Sequence, residues 1–305
     1  MGCTDRLLMR FKKETAFGVI PTGTYQELRL TSESLRQETP TVTSEEIRSD
    51  RQIGDIIRTG LSVEGDINIE LSSTTFDEFF EVALQADTPF GGGPPLFIEN
   101  GVLEQTFTIE KEFTDLTTEF AVYNGMTVNT MNLNVETGAI ITGSFGFIGI
   151  KEASGSASVA TTTTAAGTDE VMNAVDDVTA FLEGGVSFDI TQFSFAINNN
   201  VRQRQQVATL GPIGLGCGSL EITGTMRAYF ETKAILDKYL NFTESSIKLS
   251  VRDAAAKGYD FEFSKLNFTG GQRVAGGQNQ DIIADMSWTA KRDPASGKTV
   301  KITRF

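Results

Sequence analysis

LSVEGDINIEL, residues 61–71, is the stretch on which the fold turns. Leu61, Val63, Ile67, Ile69 and Leu71 alternate with Ser62, Glu64, Asp66, Asn68 and Glu70. Successive side chains of a strand point to opposite faces, so this pattern predicts a strand with one face in a core and an acidic face in solvent. Just beyond it, Phe76, Phe79, Phe80, Ala83 and Leu84 recur at helical spacing, and Thr74 with Asp77 resembles a capping box. The same order returns in SLEITGTMRAY, residues 219–229, where Leu220, Ile222, Met226 and Ala228 alternate with Glu221, Thr223, Thr225 and Arg227. Thr232 is then placed to cap a helix carrying Ile235, Leu236, Tyr239 and Leu240. Laying Gly65 on Gly224 sets the offset at 159 residues (224 − 65).

The surroundings of the two units repeat as well. Before the first lies the polar segment ETPTVTSEEIRSDRQIGDIIRTG (38–60), and before the second NNNVRQRQQVATLGPIGLGCG (198–218). After each helix come strand-like runs: TFTIEKEF, TTEFAVYN, VNTMNLNV and AIITGSFGFIG, against SIKLSVRD, YDFEFSKL, LNFTG and DIIADMSWTA. Between the halves, KEASGSASVATTTTAAGTDE (151–170) is small, polar and aperiodic, the composition of a linker or exposed loop. The expected architecture is mainly β: two tandem β-sandwich or barrel domains, 1–150 and 176–305, each with one short flanking α-helix, joined by a Ser/Thr/Ala-rich linker at 151–175. Identity between the halves is low, so the duplication rests on pattern.

Composition narrows the function. The chain has 305 residues, a net charge of −14 and no histidine. The charge opposes phosphate binding and suits a surface that nucleic acid passes without sticking. Without histidine the commonest general base, the Ser–His and Cys–His dyads and most zinc sites are gone. Cys3 and Cys217 have no metal or redox spacing, GGGPPLF (91–97) lacks the Lys-Ser/Thr ending of a phosphate loop, and nothing singles out one carboxylate pair among 40 acidic residues. No enzymatic activity and no cofactor are expected. MGCTDRLLMRFKKE at the start is too polar for a secretory signal, and its Met-Gly-Cys is a weak lipidation match. GAIITGSFGFIGI (138–150) is too short and glycine-broken for a membrane helix, so a soluble chain without a membrane partner is expected.

FKKETAFGVIPTGTYQELRLTSESL (11–35), TSEEIRSDRQIGDIIRTGLSVEGDINIELS (43–72) and FTIEKEFTDLTTEFAVYNGMTVNTMNLNVETGAIITGSFGFIG (107–149) together resemble the tail tube proteins of long-tailed phages. The second half is similar to them through its strand–helix pattern. The resemblance implies tail-tube-type β-domains whose sheets join between neighbours into a ring, rings stacked into a tube, and DNA leaving through it without specific binding. Tail tube domains usually form six-fold rings, so two per chain imply three chains. It also implies a place in the virion tail, assembly in the host bacterial cytoplasm, and tape measure, tail terminator and distal tail proteins as partners.

Under that resemblance the acidic strand face becomes a lumen candidate: Glu64, Asp66 and Glu70, with Glu221 and Asp285. Read from alternation alone, the same face is an ordinary solvated sheet face. The 38–60 segment reads from sequence either as a disordered surface loop or, given its length without secondary structure, as a functional one. Its Arg48, Arg51 and Arg58, mixed with acids, and its Ile53 and Ile56 suit a self-complementary contact between stacked rings. Two other readings remain. The second half could decorate the outside of the tube, but its repeated helix argues against an immunoglobulin-like decoration. A carbohydrate- or receptor-binding module would show aromatics clustered on loops, for which Tyr25, Phe90 and Phe97 are the candidates.

Overall fold

The computed structural model describes residues 6–305 apart from 92–95, 117–118, 231–232 and 276. The first half contains β1 (Leu7–Lys13), β2 (Thr24–Glu27), β3 (Ser32–Glu33), β4 (Arg36–Glu38), β5 (Thr41–Thr43), β6 (Ile56–Arg58), β7 (Ser62–Glu70), α1 (Asp77–Ala83), β8 (Leu96–Glu99), β9 (Phe107–Phe113), β10 (Phe120–Glu136) and β11 (Thr142–Gly149). The Ser/Thr/Ala-rich stretch carries β12 (Lys151–Gly155) and β13 (Thr162–Thr164). The second half contains β14 (Val178–Glu183), β15 (Val186–Ser187), β16 (Ile190–Asn198), β17 (Arg202–Arg204), β18 (Gly214–Gly216), β19 (Glu221–Tyr229), α2 (Ala234–Leu240), β20 (Ser245–Arg252), β21 (Gly258–Ala275), β22 (Ile282–Ala290) and β23 (Lys301–Arg304).

The alternation at 61–71 is realised as β7: Val63, Ile67 and Ile69 are buried while Glu64, Asp66 and Asn68 face solvent. β7 pairs with β11, β11 with the latter part of β10, and that with β16. β16 pairs with β19, β19 with β22, and β22 with the latter part of β21. Strands of both halves therefore form one antiparallel sheet, which β3 and β4 extend beyond β7. A second layer covers it. In the first half it runs β13–β2–β1–β9–β10–β12, and in the second β15–β14–β20–β21–β23–β8.

The register repeats along with the elements. β7 and β19 start and end 159 residues apart (221 − 62, 229 − 70). The β10–β11 ladder skips a residue between Val128 and Thr130, and β21–β22 does so between Phe268 and Gly270, 140 residues on. The breaks at Tyr123/Met126 and Phe263/Leu266 in the pairings with β9 and β20 are also 140 apart. An irregular ladder bends its strand. Each long strand thereby begins in the outer layer and finishes in the inner one. The sequence divides each of them into two runs, the first at Gly125, whose φ of +65° lies inside the bend.

The core lies between the layers. Phe79 of α1 packs against Phe11 and Phe107 on the outer side and Phe145 and Phe147 on the inner side, with ring centroids 4.7–5.4 Å apart. Phe80 reaches across to Tyr259 and Phe261 of the second half at 5.2 and 5.9 Å. Two local expectations fail. Thr74 and Asp77 form no capping box: the cap position is Phe76, the Thr74 hydroxyl donates to Asp169, and Asp77 turns inward to Tyr259 and Arg304. Leu240 does not pack the second helix, being 68% exposed; Ile235 and Leu236 are buried and Tyr239 lies at the core margin. The Thr232 cap lies outside the described residues.

Residues 151–170 are laid along the first half. β12 adds to β10, and β13 runs parallel to β2. Ser158 and Val159 donate to the buried carboxylate of Glu110, and Asp169 pairs with Lys257 of the second half at 2.8 Å. Small side chains fit this role because the chain lies flat on a surface already formed.

Candidate functional site

The solvent face of the shared sheet carries ordered rows of polar side chains. One row of side chains crosses it from Asn68 through Ser144, Asn132, Ala196 and Thr223 to Thr289. The next row runs from Glu70 through Thr142, Asn134, Ser194 and Thr225 to Ser287. The face is concave there, enclosing a trough of about 720 Å³. Several of its hydrogen-bonding groups are taken up across strands: Asn68 donates to Ser32 at 2.8 Å, Asn132 to Ser144 at 3.1 Å, and the Ser194 and Thr225 hydroxyls meet at 2.8 Å. Behind it the face is backed by Phe145, Phe193, Phe195, Met226 and Trp288, all buried. Gly224 has to be a glycine because a Cβ there would lie 2.3 Å from the Trp288 ring. Gly65 has a different reason, a φ of +149° and the Leu35 backbone 2.7 Å from where its Cβ would stand.

All five acidic lumen candidates fall on this face, but at its margins. Toward one end Asp66 and Glu64 follow Asn68 on β7, and Glu221 lies in register with Asn198. Toward the other, Asp285 sits opposite Arg227, and Glu70 and Glu136 flank the neutral rows. The charges are partly tied: Arg227 meets Asp285 at 3.3 Å, and Arg36 contacts Glu38 at 2.5 Å and Glu64 at 3.7 Å. With Glu38, seven acids share the face with two arginines, both paired, and no lysine is among its described residues. The sequence reading missed the Asn/Ser/Thr rows and Glu136, although the alternation of Asn132, Asn134 and Glu136 was there to read.

The stacking candidates lie on an arm. β5 and β6 pair as a two-stranded hairpin projecting beyond the sheet. Arg48, Arg51 and Arg58 are exposed along it, and Ile53 and Ile56 are 69% and 62% exposed. Arg48 pairs with Asp50 at 3.3 Å. A second arm, β17–β18, leaves the sheet between β16 and β19 as the first does between β4 and β7, and it carries Val207, Leu210 and Ile213, all exposed. Those three residues were not singled out by sequence. The aromatics a sugar-binding surface would need are not gathered on loops. Tyr25 is buried, Phe90 lies under Arg304, and Phe97 packs beneath Lys301.

The chain is thus a mainly β protein with a broad polar sheet face, acidic at its margins and bonded in part across its strands, and two exposed hairpins that carry apolar and charged side chains. Comparison with known families gives the class its name: the family model for phage tail tube proteins matches residues 4–290, and the chain belongs to that family. It is a structural component of the virion tail that assembles with copies of itself into a tube. No curated protein matches the chain.

Proposed function

We propose that residues 1–150 and 176–305 are two tail tube domains, so that three chains close a ring with pseudo-six-fold symmetry and the rings stack into the channel through which the genome leaves. The observation that carries this reading is the one sheet running through both halves with equivalent strands, equivalent bulges and a concave polar face. A concave face closes naturally around an axis, and a ring removes exposed sheet edges.

In this arrangement the Asn/Ser/Thr rows line the lumen, and Glu64, Asp66, Glu70, Glu221 and Asp285 mark its acidic bands. DNA is bound through cations that neutralise phosphates. A lining whose arginines are already paired and whose Asn68 and Asn132 amides donate to serine hydroxyls lets the duplex slide. The arms, with Arg48, Arg51, Ile53, Ile56 and Arg58 on the first, stack each ring on the next. Tape measure, terminator and distal tail proteins would then meet the inside and the two ends of the tube.

Symmetry in electron micrographs of assembled tubes tests the reading. Three chains per ring are expected. Six chains per ring, with residues 176–305 outside the wall, would make the second half a decoration.

A further inference from the structure

The outer layers of the two halves repeat, but their outward faces are finished differently. Glu110 of β9 stands where Lys248 of β20 does, since Glu110 is opposite Val122 and Lys248 opposite Glu262 at offsets of 138 and 140 (248 − 110, 262 − 122). Each is the centre of an ion cluster. Lys248 meets Asp260 and Glu262 at 2.8 Å, and its side chain is 33% exposed. Glu110 accepts from Arg10 at 2.9 Å, with Glu112 on the same guanidinium, and is fully buried. What lies over it is the chain that leads from β12 to the second half. We infer that residues 156–168 are a detachable strap, which leaves the first half as one unit while the rest of the chain stays folded, baring Glu110 and the outer edge of β2.

The strap crosses the outer layer from edge to edge. It leaves β12, which lies beside β10, and becomes β13, which lies beside β2, so it passes over β9 and β1. Midway, the Ser158 hydroxyl and the Val159 amide donate to the two Glu110 oxygens at 2.8 and 2.6 Å. Further on, the Thr161 amide donates to the Gly23 carbonyl at 3.1 Å, the Thr24 and Thr162 hydroxyls meet at 2.7 Å, and Gln26 donates to the Ala165 carbonyl at 2.9 Å. The far end is fastened at Asp169. Its carbonyl accepts from Arg29 at 2.6 Å, and its carboxylate accepts from Thr74 at 2.9 Å and Lys257 at 2.8 Å.

Two features make the strap separable. It is held by polar contacts: no residue of 156–168 is buried, and none belongs to the hydrophobic core or to the side chains packed against it. A segment with few buried apolar contacts opens at a smaller cost in free energy than the core does. The layer beneath also folds without such a cover, because the equivalent cluster around Lys248 keeps its ion pairs while partly open to solvent. With the strap open, β12 still holds one end and Asp169 the other, so the first half changes its outer surface and keeps its core.

The test is amide hydrogen exchange of the free full-length chain. The amides of Val159 and Thr161 and the protected amides of β13 should report one common opening constant, larger than that of β1 in the same sheet by about tenfold or more. That constant should stay flat at denaturant concentrations that raise the value for β1, because opening the strap exposes little surface. Glu110→Gln removes the charge on which the strap sits and should raise the opening of the whole set together, residues 162–164 included. Should that variant disturb the layer through Arg10, Ser158→Ala touches the strap alone. It should raise the same set by about three- to tenfold, the loss of one hydrogen bond, and leave β1 unchanged. Opening constants equal to those of β1, or acceleration by Ser158→Ala confined to residues 158 and 159, overturn the strap as a unit. Exchange of the wild-type Val159, Thr161 and β13 amides at the rate of an unprotected peptide would show that the strap has no seat on Glu110, and overturns it as well.

Discussion

The two helices hold equivalent places and are equally long, yet six of the seven residues of α1 are buried, against Ile235 and Leu236 alone in α2. Their sequences follow the difference: α1 presents phenylalanine to both layers, whereas α2 ends in Lys238, Tyr239 and an exposed Leu240. The cause is position. α1 stands where the second half closes over it, and α2 stands at the free side of the chain. Under the ring reading, the exposed apolar side chains of α2 are where a neighbouring subunit would pack.

The strongest way to break this comparison acts on the arms. Deleting residues 44–57 should leave a folded chain with unchanged thermal unfolding and abolish tube elongation, since the arm offers contact groups and little core. Deleting 206–212 should do the same if both arms stack. Tubes of normal length from the first deletion would end the stacking role, and from the second would confine it to one half.

The halves can next be compared through the polar face. Replacing Glu64, Asp66 and Glu70 with lysine changes the charge by +6 per chain, from −14 to −8, and each ring repeats the change. Phage carrying it should eject DNA slowly at low salt and recover as salt rises, because phosphate attraction to a basic lining is screened. Normal ejection through intact tubes would put the three side chains outside the channel. Lysine at Glu221 and Asp285 should slow ejection less, because two substitutions change the charge by +4 per chain where the three change it by +6.

The core comparison is set in energies. Phe79→Ala should cost about 3–5 kcal/mol in denaturant unfolding of the free chain, as for a fully buried phenylalanine. Leu240→Ala should cost about 0.5 kcal/mol or less there and show its effect in ring formation. Equal losses in the free chain would mean that α2 is packed as α1 is.

These contrasts also mark where the sequence stops being legible. β7, β19 and both helices are readable because each follows one period, two for the strands and 3.6 for the helices, set by local geometry. Phe79 and Phe80 could be assigned to the core for the same reason. The length of β10 could not: Asn124-Gly125 looks like a turn, and only the pairing of its two sides with different layers shows a continuous strand. The acidic residues at 64, 66 and 70 drew attention by their charge, whereas the neutral rows at Asn132, Asn134, Ser144 and Ser194 form only when strands distant in sequence align. Asp77 looked like a cap because its true partners, Tyr259 and Arg304, are more than 180 residues away.

That last contact offers the finest test of how the halves are joined. Tyr259 donates to Asp77 at 2.7 Å and accepts from the Thr74 amide at 2.8 Å, while Arg304 pairs with the other carboxylate oxygen. Tyr259→Phe removes both hydrogen bonds inside a buried site and should cost about 1–3 kcal/mol. Burial pushes Asp77 above its usual 3.8, and the bonds from Tyr259 and Arg304 pull it back only in part. The folded chain therefore holds the Asp77 proton more tightly than the unfolded chain. The stability this gives is fully present below the ordinary carboxylate value and is lost as pH rises through the raised one. Asp77→Asn removes that titration, so the wild type should lose stability relative to Asp77→Asn as pH climbs across this interval. Parallel pH–stability curves for the two proteins would show that Arg304 and Tyr259 compensate the buried charge completely, making the join between the halves an ion pair with no net pH dependence.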